Sequence, residues 1–208
     1  PVIMKRDPSL HRGSLQAFNF KCTHDNVIYT SPLITDPFNL DFDGDKVALY
    51  VPLSVEGQIN VKNRMMKQRY NVGTGGLSNK AKQDISLGVF IMTNDVTEGP
   101  VLQNGYGDIN VIDELKAKYG SKPANVNTRI HYSGAKGKHI LSYGQLLFNA
   151  CLPKKYPIVL GAVNGGRLNK ILSEILLTLG EDAVTDAINK ITIVSGKIIS
   201  EYPITISI

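Results

Sequence analysis

Cysteine is nearly absent from this 208-residue chain: Cys22 and Cys151 are the only two, far apart and without metal-ligand spacing. That argues against a zinc site or a disulfide framework and fits a reducing cytoplasm. No apolar run approaches the length of a membrane span, and no signal peptide opens the chain, so no membrane partner is expected. Internal repeats and low-complexity segments are missing as well. Charge of one sign is only mildly in excess, with 23 Lys and Arg against 18 Asp and Glu, a net +5. Such a balance is compatible with a phosphate-bearing partner without demonstrating one. Hydrophobic content of 42% and charged content of 20% are those of a soluble globular protein. The length suits one large or two small domains with a substantial core. The first residue is Pro1, not methionine, which reads as a processed chain or a fragment.

What is present is concentrated in seven residues, Asn39-Leu40-Asp41-Phe42-Asp43-Gly44-Asp45. Three carboxylates at alternate positions would point to opposite faces of an extended chain. Gly44 lets the backbone bend sharply, so the three acids can converge on one point. Like charges held that close repel unless a cation joins them. Oxygen-only ligands of this kind suit a hard divalent ion, Mg²⁺ above all where phosphates complete the shell. A solvated acidic turn is the plain alternative, since Asp-Gly pairs are common in turns. The apolar Phe42 within the motif and the strand-like Val47-Ala48-Leu49-Tyr50-Val51 after it favour a metal site. An EF-hand is excluded, because counting from Asp41 its glycine and glutamate positions hold Lys46 and Pro52.

Other candidates are weaker. Lys62, Arg64, Lys67 and Arg69 crowd one segment and Lys136, Lys138 and His139 another, each as readily a solvated face as a phosphate contact. Gly73-Thr74-Gly75-Gly76 lacks the preceding strand and following Lys-Ser/Thr of a P-loop and reads as a flexible connector.

Short apolar runs between turn signals (Leu15–Phe20, Val27–Tyr29, Leu33-Ile34, Val47–Val51) predict strands of a compact barrel. Ser54 with Glu56 opens a helix to about Tyr70, with Ile59, Met65 and Met66 facing inward. A second helix is expected over Asp84–Met92, a break at Glu98-Gly99-Pro100 and a helix from Asp108 through Tyr119. Gly120–Asn127 reads as a loop, and Arg129–Tyr132 and Ile140–Phe148 return to an apolar pattern. Leu168, Ile171, Leu172, Ile175, Leu176 and Leu179 mark a strongly amphipathic helix over Arg167–Leu179, ended by Gly180. Asp182–Lys190 reads as a short helix and Ile198–Ile208 as strand-like. A boundary near residues 95–105 divides a barrel region (1–100) from a mixed α/β region (101–208), an α+β chain overall.

The run Arg6-Asp7-Pro8-Ser9-Leu10-His11-Arg12 resembles the Arg-x-Pro-Thr-Leu-His-Arg segment of multi-subunit DNA-dependent RNA polymerases. Asn39–Asp45 is similar to that family's Asn-Ala-Asp-Phe-Asp-Gly-Asp, with Leu40 in place of alanine. Val51-Pro52-Leu53-Ser54, Gln83-Asp84-Ile85-Ser86-Leu87-Gly88 with Met92-Thr93, and Ser142-Tyr143-Gly144-Gln145 through Phe148-Asn149 to Leu152-Pro153 look like further family segments. Five matches in order, from residue 5 to 153, identify the chain as resembling the catalytic segment of the largest, β′-type subunit.

The resemblance implies a double-psi β-barrel that pairs with a second barrel on the β-type subunit. It implies that Asp41, Asp43 and Asp45 hold the catalytic Mg²⁺ for two-metal nucleotidyl transfer to the RNA 3′ end. Arg6 and Asn39 match positions that contact the ribose of the incoming nucleotide, where a donor and a donor–acceptor together favour a 2′-OH. His11 reads as a supporting residue, and Gln83 and Asp84 match positions close to the barrel's active side. Gln145 replaces the family's usual arginine, which weakens that segment as a nucleic-acid contact. The implied partners are other polymerase subunits, template DNA, nascent RNA and nucleoside triphosphates. The chain stops at Ile208, about where the family's funnel begins, so alone it is expected to be inactive. It resembles one piece of a split large-bacteriophage polymerase, acting in the host cytoplasm or carried in a virion, or else an excised fragment. Two other readings are an RNA-templated two-barrel polymerase, against which Ser9–Arg12 argues, and a non-catalytic assembly module, against which the three acids argue.

Overall fold

The computed structural model describes residues 1–66, 80–94, 126–134 and 137–202, together with the backbone of 101–106. By compactness the chain forms two units, Pro1–Lys80 and Ala81–Ile208. The helix expected at Asp84 therefore belongs to the second unit, where it packs on the C-terminal helices, rather than ending the first. The class is α+β.

The first unit is built on a three-stranded antiparallel sheet, β1 (Val2–Lys5), β2 (Leu15–Phe18) and β3 (Ala48–Tyr50), in the order β2-β1-β3. Strand β1, which the sequence pattern did not mark, is the centre of the sheet. Its alternation buries Val2 and Met4, with Met4 in a core cluster with Ile34 and Phe38, against which Phe18, Leu40 and Val47 pack. The strand expected at Val27–Tyr29 is not formed, and all three residues are exposed. Leu33-Ile34 lies in a 3-10 turn, not a strand. Pro32 fixes its start and Ser31 Oγ accepts the Leu33 N–H at 3.3 Å, a local cap that outcompetes extension. A single helical turn, α1 (Thr35–Phe38), follows.

Ser54 caps α2 (Val55–Asn60) as expected, accepting the Gly57 N–H at 3.0 Å. Ile59, expected inward, is exposed, while Val61 is buried. The backbone widens to a π-helical turn over Val61–Met65, and the extra residue per turn shifts the phase of the apolar face. The ends of this helix beyond Met66, the Gly73–Gly76 connector, the Glu98–Pro100 break and the Asp108–Tyr119 helix lie outside the described residues.

In the second unit β4 (Val101–Tyr106) pairs parallel with β5 (Arg129–Gly134), which pairs antiparallel with β6 (Gly137–Ser142). Among the described residues four helices accompany this sheet: α3 (Asp84–Thr93), α4 (Tyr143–Cys151), α5 (Gly165–Leu179) and α6 (Glu181–Glu201). Helix α5 buries Leu168, Ile171, Leu172, Ile175 and Leu176, the face its 3.6-residue period predicts, and ends at Gly180 with φ 89°. Helix α6 runs on past Lys190, so the strand-like reading of Ile198 onward is corrected for Ile198–Glu201, and 203–208 lie outside the described residues. Val184, Ala187, Ile188, Ile191, Ser195 and Ile198 form one buried stripe, and packing along it overrides the β-propensity of Ile191-Thr192-Ile193-Val194. Among the described residues no helix is long and apolar enough to cross a membrane. Cys151 is buried on α4, where burial pushes its thiol up to about 12, whereas Cys22 is exposed.

Helices α3 and α6 meet at Gly88 and Ser195. A Cβ on Gly88 would stand 2.7 Å from Ser195 Cβ and 2.8 Å from its carbonyl oxygen. Gly88→Ala is expected to destabilise the second unit by about 1–3 kcal/mol through overpacking. Gly196→Ala, one residue beyond that contact on α6 and facing open space, should stabilise it by about 0.5–1 kcal/mol through helix propensity. Urea unfolding midpoints of the two variants, moving in opposite directions, check this.

Candidate metal centre

The acidic loop is placed by its two ends. On the upstream side Asn39 adopts the left-handed conformation (φ 47°, ψ 48°) and ends α1, its N–H donating to the Asp36 carbonyl at 3.1 Å. Asparagine tolerates that region better than most residues. The Leu40 N–H then donates to the Thr35 carbonyl at 2.8 Å, and the Leu40 side chain packs on the core cluster. On the downstream side Val47 packs on the same cluster and β3 pairs with β1, Ala48 opposite Lys5. Between these anchors Gly44 turns at φ 115°, in open space. The bend is therefore a backbone requirement rather than a steric one.

The register explains the site's main contact. With Lys5 opposite Ala48, the chain continues so that Arg6 lies beside the residues just before β3, within reach of Asp45. Arg6 donates from Nε to Asp45 Oδ2 at 2.8 Å and from Nη2 to Asp45 Oδ1 at 3.0 Å, a two-pronged pair. The Asp41 N–H adds a third bond to Asp45 Oδ2 at 3.2 Å. The side chains of this pair are only 18% and 20% exposed, while Asp41 and Asp43 stand in solvent. Phe42 is 64% exposed and does not wedge the loop into the core. The loop is held by Leu40, Val47 and the Arg6 pair instead.

One carboxylate oxygen from each of Asp41, Asp43 and Asp45 lies within 4.8 Å of the others. Three hard oxygen donors at that spacing fit a divalent cation such as Mg²⁺. Their electrostatics diverge. Hydrogen bonding to Arg6, then to the Asp41 backbone, holds the Asp45 carboxyl below the usual carboxylate range. The neighbouring Asp43 carboxylate, then desolvation, pushes Asp41 above it. Asp41 and Asp45 also line an open cavity of about 790 Å³ together with Asp25, Val27, Ile28 and Thr30. Nothing in the sequence pattern of 25–30 marks it as part of this region.

The remaining predicted residues fall into two groups. His11 is a local cap, its Nδ1 accepting the Gly13 N–H at 3.0 Å. Gln83 and Asp84 are exposed at the start of α3 in the second unit, Gln83 with φ 49°. Gln145 is buried: its Oε1 accepts the Ser142 N–H at 3.1 Å while Ser142 Oγ accepts the Gln145 N–H at 3.0 Å, a reciprocal cap of α4. Asn149, from the same motif, bridges to the chain at Val159, donating to its carbonyl at 2.9 Å and accepting its N–H at 2.7 Å. This motif is architectural. Its signal was the spacing Ser-x-x-Gln ahead of an apolar run.

Taken alone, the loop is an acidic turn, mounted on a small β-sheet, with three carboxylates close enough together to serve as cation ligands. Residues 1–67 match the family model described as RNA polymerase Rpb1, domain 2. The chain is 28% identical over 222 residues to the DNA-directed RNA polymerase subunit beta′ of Sulfurihydrogenibium sp., an alignment covering 100% of this chain and 13% of that protein. It is 32% identical over 197 residues to the Chlamydia caviae subunit beta′ (85% of this chain, 14% of the relative). With the Listeria innocua subunit beta′ it shares 33% over 175 residues (76% and 14%). The chain thus spans about one seventh of the length of these relatives. It belongs to the β′-type RNA polymerase subunits as a segment of that family, and its first unit lies in the double-psi β-barrel region.

The two shifted carboxyls make opposite contributions to pH dependence. Asp45, depressed in the folded chain, contributes stability that is present above its unfolded-state pKa and is lost as pH falls through the folded one. Asp41, raised, favours folding below its unfolded-state pKa, and that contribution is lost as pH rises through the folded one. Carboxyl NMR titration of the metal-free chain is expected to show Asp41 titrating at higher pH than Asp45. In Arg6→Gln the Asp45 midpoint should move up toward the ordinary range.

Proposed function

We propose that this chain carries the catalytic magnesium loop of a DNA-directed RNA polymerase and works only within a larger complex. The observation that carries the reading is the convergence of Asp41, Asp43 and Asp45 on one point within a β′-type segment. When bound there, Mg²⁺ supplies charge stabilisation and activation of the RNA 3′-hydroxyl for attack on an incoming nucleoside triphosphate, a second ion accompanying the pyrophosphate. The protein's own task is positioning. Asp41, Asp43 and Asp45 supply the oxygen ligands. Arg6 spends two of its five N–H donors on Asp45, which leaves three for a ribose hydroxyl. Asn39, exposed at the loop's entrance, can both donate and accept for the same sugar.

The rest of the nucleic-acid path belongs to other polymerase parts. A β-type subunit and the remaining β′-type sequence, on this or other chains, complete the site and bring template DNA and nascent RNA. The exposed apolar side chains Leu49, Tyr50, Val51, Leu53, Val55 and Ile59, clustered in sequence after the loop, support such a covering partner. Two unpaired cysteines support work in a reducing cytoplasm.

The test is RNA synthesis by the complex that co-purifies with the tagged chain. Asp43→Asn should assemble normally and lose at least about a hundredfold in Mg²⁺-dependent synthesis. Assembly with undiminished synthesis would place the chemistry elsewhere and leave this segment as scaffold.

A further inference from the structure

Asp45 is claimed by three hydrogen bonds and by the candidate cation site. Its Oδ2 accepts Arg6 Nε at 2.8 Å and the Asp41 N–H at 3.2 Å, its Oδ1 accepts Arg6 Nη2 at 3.0 Å, and the same carboxylate is one of the three candidate cation ligands. Resting on the metal reading above, we propose that Arg6 is a positioning residue for this loop. It fixes the third carboxylate before the ion arrives and holds divalent affinity below what three free acids would give.

The argument is one of charge and geometry. A guanidinium stays protonated at any working pH, so it cannot relieve the competition by losing a proton. Asp41, Asp43 and Asp45 carry three negative charges, and Arg6 offsets one of them. A cation that takes an oxygen of Asp45 shares that carboxylate with a fixed positive charge close by. For a unit charge about 5 Å from a divalent ion in a near-aqueous dielectric, the repulsion changes affinity by roughly tenfold. The fork also does what a point charge cannot: both carboxylate oxygens are engaged, so the plane of Asp45 is set relative to β1. An ion held loosely by fixed ligands can exchange between rounds of use, which three unrestrained acids would oppose.

A merely structural staple predicts something different, since its loss would loosen the loop and weaken binding. Mn²⁺ uptake by the whole 208-residue chain at low ionic strength, followed by the electron paramagnetic resonance of the free ion, separates the two. Arg6→Gln is expected to bind Mn²⁺ about tenfold tighter than wild type, the gap closing as salt is raised. Arg6→Lys, which keeps the charge without the fork, should stay within about threefold of wild type. Unchanged or weaker binding by Arg6→Gln overturns the proposal and leaves the metal reading intact. Wild-type uptake that is absent, or insensitive to Asp43→Asn, overturns both. A second measurement needs no folded variant: Mg²⁺ added to the ¹⁵N-labelled wild-type chain should shift the Arg6 Nε–H resonance. A resonance unmoved once Mg²⁺ uptake is saturated overturns the proposal.

Discussion

Strand β1 is paired on both edges, and most of the first unit follows from those two pairings. β2 and β3 align antiparallel to it in fixed register, Ile3 facing Ala17 on one side and Tyr50 on the other. A one-residue slip against β3 would turn Met4 away from Ile34 and Phe38 and carry Arg6 out of line with Asp45 at once. Core packing and site geometry are therefore specified by the same constraint. The acidic loop itself holds little structure of its own: exposed carboxylates, one glycine turn, and two apolar residues that tie its ends to the cluster.

The second unit solves a different problem. Its helices approach closely, Gly88 against Ser195 and Gly144 against the Met92 backbone. Ser195 Oγ is buried there without a hydrogen-bond partner, while other buried polar groups of the unit are bonded across elements. Thr93 Oγ1 donates to Val89 and accepts the Val163 N–H at 2.8 Å; Gln145 caps α4; Asn149 ties the chain at Val159. Buried polar groups satisfied in this way specify one arrangement of the helices, because any alternative strands a donor or acceptor. Residues that look like a functional signature in sequence serve here as joints.

Local features were legible in the sequence and distant ones were not. The convergence of the three loop carboxylates could be read because the acids and their glycine are neighbours in sequence. Helix α5 could be read because its apolar residues keep a 3.6-residue period over four turns, and the Ser54 cap because capping is a three-residue affair. The partner of Arg6 could not, since it depends on the register of two strands more than forty residues apart. The length of α6 was hidden by β-branched residues whose propensity favours a strand but whose neighbours on α3 and α5 favour a helix. Val27–Tyr29 misled for another reason: apolar character announces burial without saying against what, and in this chain the three stand in solvent. Gln145 shows the converse, a polar residue whose burial only the assembled helices reveal.

The two thiols, so different in surroundings, turn the molecule into its own labelling scaffold. Cys151 is enclosed, its sulfur donating to the Leu147 carbonyl at 3.3 Å and its ionisation suppressed to about 12. At neutral pH it has almost no thiolate with which to attack an electrophile. Cys22 is exposed, three residues before the Asp25–Thr30 wall of the cavity beside the acidic loop. A maleimide fluorophore or nitroxide therefore goes to Cys22 alone, in the same unit of the chain as the acidic loop.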